Sequence, residues 1–235
     1  MLSRRVRIAV TALALSACGV AARGDELSYT EMASFTSDLN NDVILTFPTF
    51  DNQGGALTLQ DVRVDFRHVG RVRLGADNDD PFKTADVRGR IIRAWNASGP
   101  GVVTNEFRVL TTPIVFLDVD NGDGITFDPN PPDGTTFGGP LFYDELGDTF
   151  HPALALYETN GPGTIDYTVD VSLMVNDLQF QGPPPDRWTL EVQDPLLQVE
   201  TTITYTFVPE PASLLLLALG GAGLLLRRHR WSSGS

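Results

Sequence analysis

Between residues 25 and 208 the apolar positions recur every second residue, not every third or fourth. Ile165, Tyr167, Val169, Val171, Leu173 and Val175 alternate with Asp166, Thr168, Asp170, Ser172, Met174 and Asn176. A strand places successive side chains on opposite faces, so this spacing predicts a long strand with one buried and one wet face. Val199, Thr201, Ile203, Tyr205 and Phe207 repeat the pattern against Glu200, Thr202, Thr204 and Thr206. Val43, Leu45 and Phe47 make a shorter strand. Leu57 and Leu59, then Val62, Val64 and Phe66, keep the alternation except for a slip at Gln60-Asp61, where a β-bulge restores the pleat. Val87, Gly89 and Ile91, residues 106–110 and residues 114–117 supply further strands.

No part of this stretch sustains a helical period with caps. Gly and Pro clusters punctuate it, among them Asn52-Gln53-Gly54-Gly55, Ser98-Gly99-Pro100-Gly101 and Gly161-Pro162-Gly163. Many strands separated by such turn residues predict an all-β fold, an antiparallel β-sandwich of jelly-roll or Ig-like kind. The strand order is open at this level.

The two ends break the pattern. Residues 1–24 run from Arg4, Arg5 and Arg7 through an apolar stretch, Ile8 to Ala17, into small residues, the three-part order of a secretory signal peptide. Two cleavage readings stand side by side. Val20-Ala21-Ala22 suits ordinary signal peptidase, whereas Leu15-Ser16-Ala17-Cys18 matches a lipobox in which Cys18 receives a lipid. With either reading, no cysteine is left in the body for an internal disulfide or a thiol nucleophile. At the other end, Val208, Pro209, Glu210 and Pro211 precede an uncharged run, residues 212–226, and then Arg227, Arg228 and Arg230. An apolar helix backed by a cationic block is a stop-transfer arrangement that leaves the block on the cytoplasmic side. The expected division is therefore a signal peptide at 1–24, an exported β domain at 25–208 and a sorting or anchor segment at 209–235, with a helix flanking the sandwich on each side.

The stretch VPEPASLLLLALGGAGLLLRRHR resembles a PEP-CTERM sorting signal: a Pro-Glu-Pro motif, a short hydrophobic helix and an arginine cluster. Residues 231–235 trail beyond the point where such chains often stop. The resemblance implies bacterial export through signal peptidase and the secretion machinery, retention in the inner membrane, and processing near Pro-Glu-Pro by an exosortase-type enzyme. It places the product at the cell surface or in an extracellular, polysaccharide-containing matrix. The body, through Leu45-Thr46-Phe47-Pro48-Thr49-Phe50-Asp51, residues 55–64 and residues 201–207, is similar to exported β domains called choice-of-anchor E. That family has no agreed activity, so this likeness implies architecture and location only.

Charge removes one class of function. The 235-residue chain has 17 basic and 30 acidic side chains, a net charge of −13, and residues 25–208 keep 10 bases against 29 acids, a net of −19. Such a body repels phosphate backbones, which excludes nucleic acid as a partner. The Arg residues between 63 and 93 are interleaved with acids, Asp77-Asn78-Asp79-Asp80 among them, and read as a solvated, self-compensating surface.

Candidate chemistry is sparse. Asp118-Val119-Asp120-Asn121-Gly122-Asp123-Gly124 approaches an EF-hand calcium loop, which needs oxygen ligands at positions one, three and five and Gly at six. Counted from Asp118, position five is Gly122, and position twelve is Pro129, which offers no carboxylate. A looser calcium set would use Asp118, Asp120, Asp123 and Asp128; the other reading is a polar turn. No Gly-x-Ser-x-Gly elbow, His-Glu-x-x-His motif or P-loop occurs. Trp95, Phe142, Tyr143, Tyr157 and Trp188 are either sugar-stacking rings or ordinary packing, and Asp144-Glu145 reads as an acidic loop. The expectation is an exported, envelope-anchored or matrix-associated structural or interaction protein with no enzymatic activity and no obligatory cofactor. Its alternative is a calcium-assisted, lectin-like module for extracellular polysaccharide. A glycan-active enzyme would need a facing carboxylate pair in a cleft.

Overall fold

A computed structural model of the chain describes residues 24–37 and 42–210. The expected signal helix, Cys18, Pro211, the anchor helix and Arg227, Arg228 and Arg230 lie outside those residues. In chain order the strands are β1 (Asp25–Phe35), β2 (Asp42–Pro48), β3 (Phe50–Asp51), β4 (Leu57–Asp77), β5 (Ala85–Gly99) and β6 (Val102–Thr111). They continue with β7 (Val115–Leu117), β8 (Gly134–Thr135), β9 (Leu141–Phe150), β10 (Glu158–Thr159), β11 (Thr164–Phe180) and β12 (Thr189–Pro209). Among the described residues the helical content is a single 3-10 turn, Leu154–Leu156.

Pairing follows a nested order. The first long strand pairs with the last, β1 with β12; β2 pairs with β11, β4 with β9 and β5 with β6, all antiparallel. The chain is thus one long hairpin folded over on itself, with its tip at Pro100-Gly101. Gly101, at φ +70°, supplies the left-handed residue that this tight turn needs. Rolling the hairpin adds the pairs β12–β4 and β11–β5, which gives one sheet of order β1-β12-β4 with β8 and β9 on the far edge of β4. The second sheet runs β2-β11-β5 with β6 and β7 on the far edge of β5. That nested order is the jelly roll, one of the two sandwiches expected.

The inward residues of the two sheets interdigitate. Phe66 of β4 meets Trp95 of β5 and Tyr167 of β11, with ring centroids 5.8 and 6.2 Å apart. Phe47, Val64, Val169, Leu197, Ile203 and Tyr205 are fully buried around them. Three buried phenols find the partners they need: Tyr157 donates to Pro100 O and Tyr205 to Pro48 O, each at 2.8 Å, while the Tyr157 and Tyr167 hydroxyls bond each other; the buried Tyr143 hydroxyl has none among the described residues. Glycine lets two of these rings sit directly on backbone, since a Cβ at Gly99 would lie 2.5 Å from the Tyr167 ring and one at Gly70 would lie 2.1 Å from the Tyr143 ring.

The bulge falls where the alternation slips. Thr206 faces Asp61 and Phe207 faces Leu59, so Gln60 is the extra residue on β4. One expectation is corrected. Asp144 and Glu145 are not in a loop but on β9, where Asp144 receives Arg67 Nε and Nη2 at 2.7 and 2.5 Å and Glu145 pairs with Arg108 of β6. The Arg108–Glu145 pair and Thr104, donating to Asp148 at 3.1 Å, run from β6 to β9 and so join the two sheets along one edge.

Candidate metal centre

At one end of the sandwich β4 runs out through Gly75, Ala76 and Asp77 into Asn78-Asp79-Asp80-Pro81, and the long connection 118–133 folds against it. Backbone bonds hold the two together: Asp120 N–H donates to Asp80 O, Asn78 N–H to Asp133 O and Asp118 N–H to Pro132 O, each at 3.0 Å. The Asn78 side-chain amide reaches Asp118 O at 2.6 Å and Lys83 O at 2.7 Å. β8 then pairs Ala76 with Thr135 and Asp77 with Gly134. Gly134 is required there, because a Cβ would fall 1.7 Å from Asp128 O.

This scaffold brings Asp120, Asp123 and Asp133 together, with one carboxylate oxygen of each within 4.8 Å of the others. Asp133 is fully buried and its carboxylate is oriented by Asn121, whose N–H and side-chain amide donate to it at 2.6 and 3.0 Å. Asp120 is partly buried and takes the Gly122 N–H at 2.8 Å, while Asp123 stands exposed at the rim. Gly122 and Gly124, at φ +102° and +82°, turn the loop between and after these acids.

Asp77 lies beneath. It is 2% exposed; its Oδ2 accepts the Asp128 N–H at 2.7 Å and its Oδ1 has no hydrogen-bond partner. Burial, reinforced by the charges of Asp79, Asp123 and Asp133, pushes its carboxyl up to about 6. Asp123 is also raised, by loss of solvation first, then by a hydrogen bond with Asp120 and the charges of Asp133, Asp120 and Asp128. None of the ion pairs among the described residues involves Asp77, Asp120, Asp123 or Asp133.

The four acids expected from sequence therefore separate. Asp120 and Asp123 converge. Asp118 turns its carboxylate to the neighbouring Val119 N–H at 2.8 Å, and Asp128 caps the Asn130 N–H at 2.9 Å, each serving its own turn. Asp133, which completes the trio, lies outside the expected set. The Asp77–Asp80 run, expected to be solvated, is buried throughout, and the N–H groups of Asp186, Phe82 and Lys83 lower the pKa of Asp80 from its ordinary value. Arg93, expected on a wet face, is 1% exposed and donates to Ile92 O, Val175 O and Asn176 Oδ1. Elsewhere the basic surface is self-compensating, with Arg63 on Asp65 and Arg90 on Asp177 as well as Arg67 on Asp144.

Of the candidate sugar-stacking rings, Trp95, Tyr143 and Tyr157 are buried, and only Phe142 and Trp188 are exposed. Val208, Pro209 and Glu210 close the last strand: Pro209 pairs with Leu57, Glu210 N–H donates to Ala56 O at 3.0 Å, and the Glu210 carboxylate accepts the Thr58 hydroxyl. No described helix is long and apolar enough to cross a membrane.

Residues 207–230 match the PEP-CTERM protein-sorting motif. No curated protein matches the chain. Among solved structures it is similar to one of Desmodium yellow mottle tymovirus, at 8% identity over 85% of this chain and 97% of that one, with a TM-score of 0.19. The VP2 subviral particle of infectious bursal disease virus matches at 11% identity over 87% of this chain and 49% of that one, TM-score 0.20. A Gx-strain structure of the same virus matches at 14% identity over 95% and 55%, TM-score 0.19. This chain spans about half the length of the two bursal disease virus chains, and overlays at these scores carry no argument about its role. The motif marks the chain as an exported protein with a C-terminal sorting signal.

Proposed function

We propose that the chain is a non-enzymatic structural or interaction protein of the cell envelope or extracellular matrix, delivered by its sorting segment. The observation that carries this reading is the overlap between the sorting motif and the body. Phe207, Val208 and Pro209 belong both to the motif and to β12, the strand lying between β1 and β4. The label is continuous with an inner strand of its cargo, so whatever holds the label holds the jelly roll. The apolar run 212–226 would partition into the inner membrane, Arg227, Arg228 and Arg230 would stop it there, and an exosortase-type enzyme would cut near Pro209-Glu210-Pro211. The choice-of-anchor E likeness of the body fits the same role.

The test is a tag within the exported body, followed by pulse labelling and fractionation in cells with and without the processing enzyme. The expected result is a membrane-bound precursor that becomes a shorter surface or matrix form only when the enzyme is present. A full-length product in the soluble cytoplasmic fraction would overturn the proposal.

A further inference from the structure

The acids at the end of β4 make a poor resting arrangement for a folded protein by themselves. A carboxylate in low dielectric without a partner is costly, and like charges within a few ångströms add to that cost. Asp133 and Asp77 are nevertheless buried, and the Asp77 Oδ1 that receives no hydrogen bond belongs to a side chain whose acidic neighbours are Asp79, Asp123 and Asp133.

The geometry suits one kind of ligand. Two oxygens on a common calcium ion, each about 2.3–2.6 Å from it, are at most about 5 Å apart. The 4.8 Å limit within which Asp120, Asp123 and Asp133 gather meets that condition. Magnesium meets the same limit but needs a stricter octahedron and gives up its water reluctantly, so a site made of carboxylates from one loop suits calcium better. All the donors are carboxylate oxygens, with no His among them; His68 packs on Trp95 and Tyr143, and His151 bonds Asp61. A hard cation is the match for that donor set.

We propose that Asp120, Asp123 and Asp133 form a calcium site in the 118–133 loop, beside the buried and unpartnered Oδ1 of Asp77. The loop supplies all three carboxylates and is itself bonded to the end of β4 through the Asp128 N–H on Asp77. Binding therefore closes a long connection where it meets the body, and the bonds from Asn121 pre-orient one of the three carboxylates. Because the ion binds the folded arrangement and not the open chain, it raises folding stability with its concentration. This inference stands apart from the sorting role, since it would hold wherever the protein resides.

The experiment uses the full-length chain in detergent, stripped with EDTA and titrated with calcium chloride by calorimetry and thermal melting. Calcium at about 100 times its dissociation constant is expected to raise Tm by roughly 5–10 °C, with a clearly smaller rise from magnesium. Asp123 is exposed, so Asp123→Asn keeps the fold. It is expected to weaken calcium binding about tenfold or more while leaving the calcium-free Tm equal to or above that of the parent, because one repelling charge is gone. Glu26→Gln, an equal charge change on exposed β1, is expected to leave the calcium response intact. Absence of both heat and Tm shift with calcium, an equal response to magnesium, or an Asp123→Asn response matching the parent would each overturn the assignment.

Discussion

His68 is 3% exposed on β4, its ring 5.6 Å from that of Trp95 and 5.3 Å from that of Tyr143, and its Nδ1 has no hydrogen-bond partner. Burial lowers its pKa from the ordinary value of 6.5, and Arg108 adds to this, while Glu106, Glu145 and Asp144 pull the other way without prevailing. The sign for stability follows directly. Above pH 6.5 the imidazole is neutral folded or unfolded, and its contribution is complete. As pH falls below 6.5 the unfolded chain takes up a proton that the folded one refuses, and stability is lost until the pH passes the lowered folded value. His68→Phe should match or exceed the parent by about 1 kcal/mol at pH 8, because a buried nitrogen without a partner is removed. It should also lose less stability between pH 7 and 5. Urea midpoints for both proteins across that range measure the difference; parallel pH profiles would count against the account.

At the scale of strands, legibility depended on whether a segment's partners could be seen in its own alternation. β11 up to Val171, the distal half of β12 and the first half of β4 carry period-two patterns, and even the extra residue at Gln60 was readable; but an irregularity at Ser172 reverses the phase of β11, so Met174, expected on the wet face, is buried and Val175 only partly so. β1 was not, because Glu31 stands at an inward-phase position while Met32, on the wet face, is 51% exposed. β9 was misread because Asp144 and Glu145 are stabilised by Arg67 and Arg108, which sequence does not place beside them. The candidate site failed in the same way: Asp120 and Asp123 sit close together in sequence, but Asp133 joins them only because the loop doubles back and Asn121 holds its carboxylate. The C-terminal edge carries a further consequence. Glu210 of the sorting motif is bound by Thr58 and by Ala56 O, and Pro209 pairs with Leu57, so the start of the motif is pinned to the sheet. An enzyme that cuts an extended chain must first lift this end. Thr58→Ala removes a bond worth about 1 kcal/mol, and the precursor is expected to mature faster in a pulse-chase, with Tm nearly unchanged. Unaltered or slower maturation would show that the contact plays no part in processing.

Over the whole molecule the nested hairpin decides where charge accumulates. Pairing the first strand with the last and the fourth with the ninth brings several Arg residues of the first half against acids elsewhere, as in Arg67–Asp144, Arg90–Asp177 and Arg108–Glu145. With 10 bases for 29 acids in residues 25–208, most carboxylates have no basic counterpart, and net self-repulsion opposes the compact state. Exposed ion pairs contribute about 0–1 kcal/mol each and weaken in salt, whereas repulsion spread over the body acts across a screening length of about 30 Å at 0.01 M salt and about 3 Å at 1 M. Repulsion is the larger and longer-ranged effect, so sodium chloride should stabilise this fold. In EDTA, which removes calcium as a variable, the urea midpoint of the full chain is expected to rise steadily from 0.01 to 0.5 M sodium chloride. It should rise less for a variant in which the exposed acids Asp25 and Glu26 are changed to Asn and Gln. A midpoint that falls with salt would mean that the cross-strand ion pairs outweigh the surplus charge, and that the fold is held by its arginines in spite of its acids.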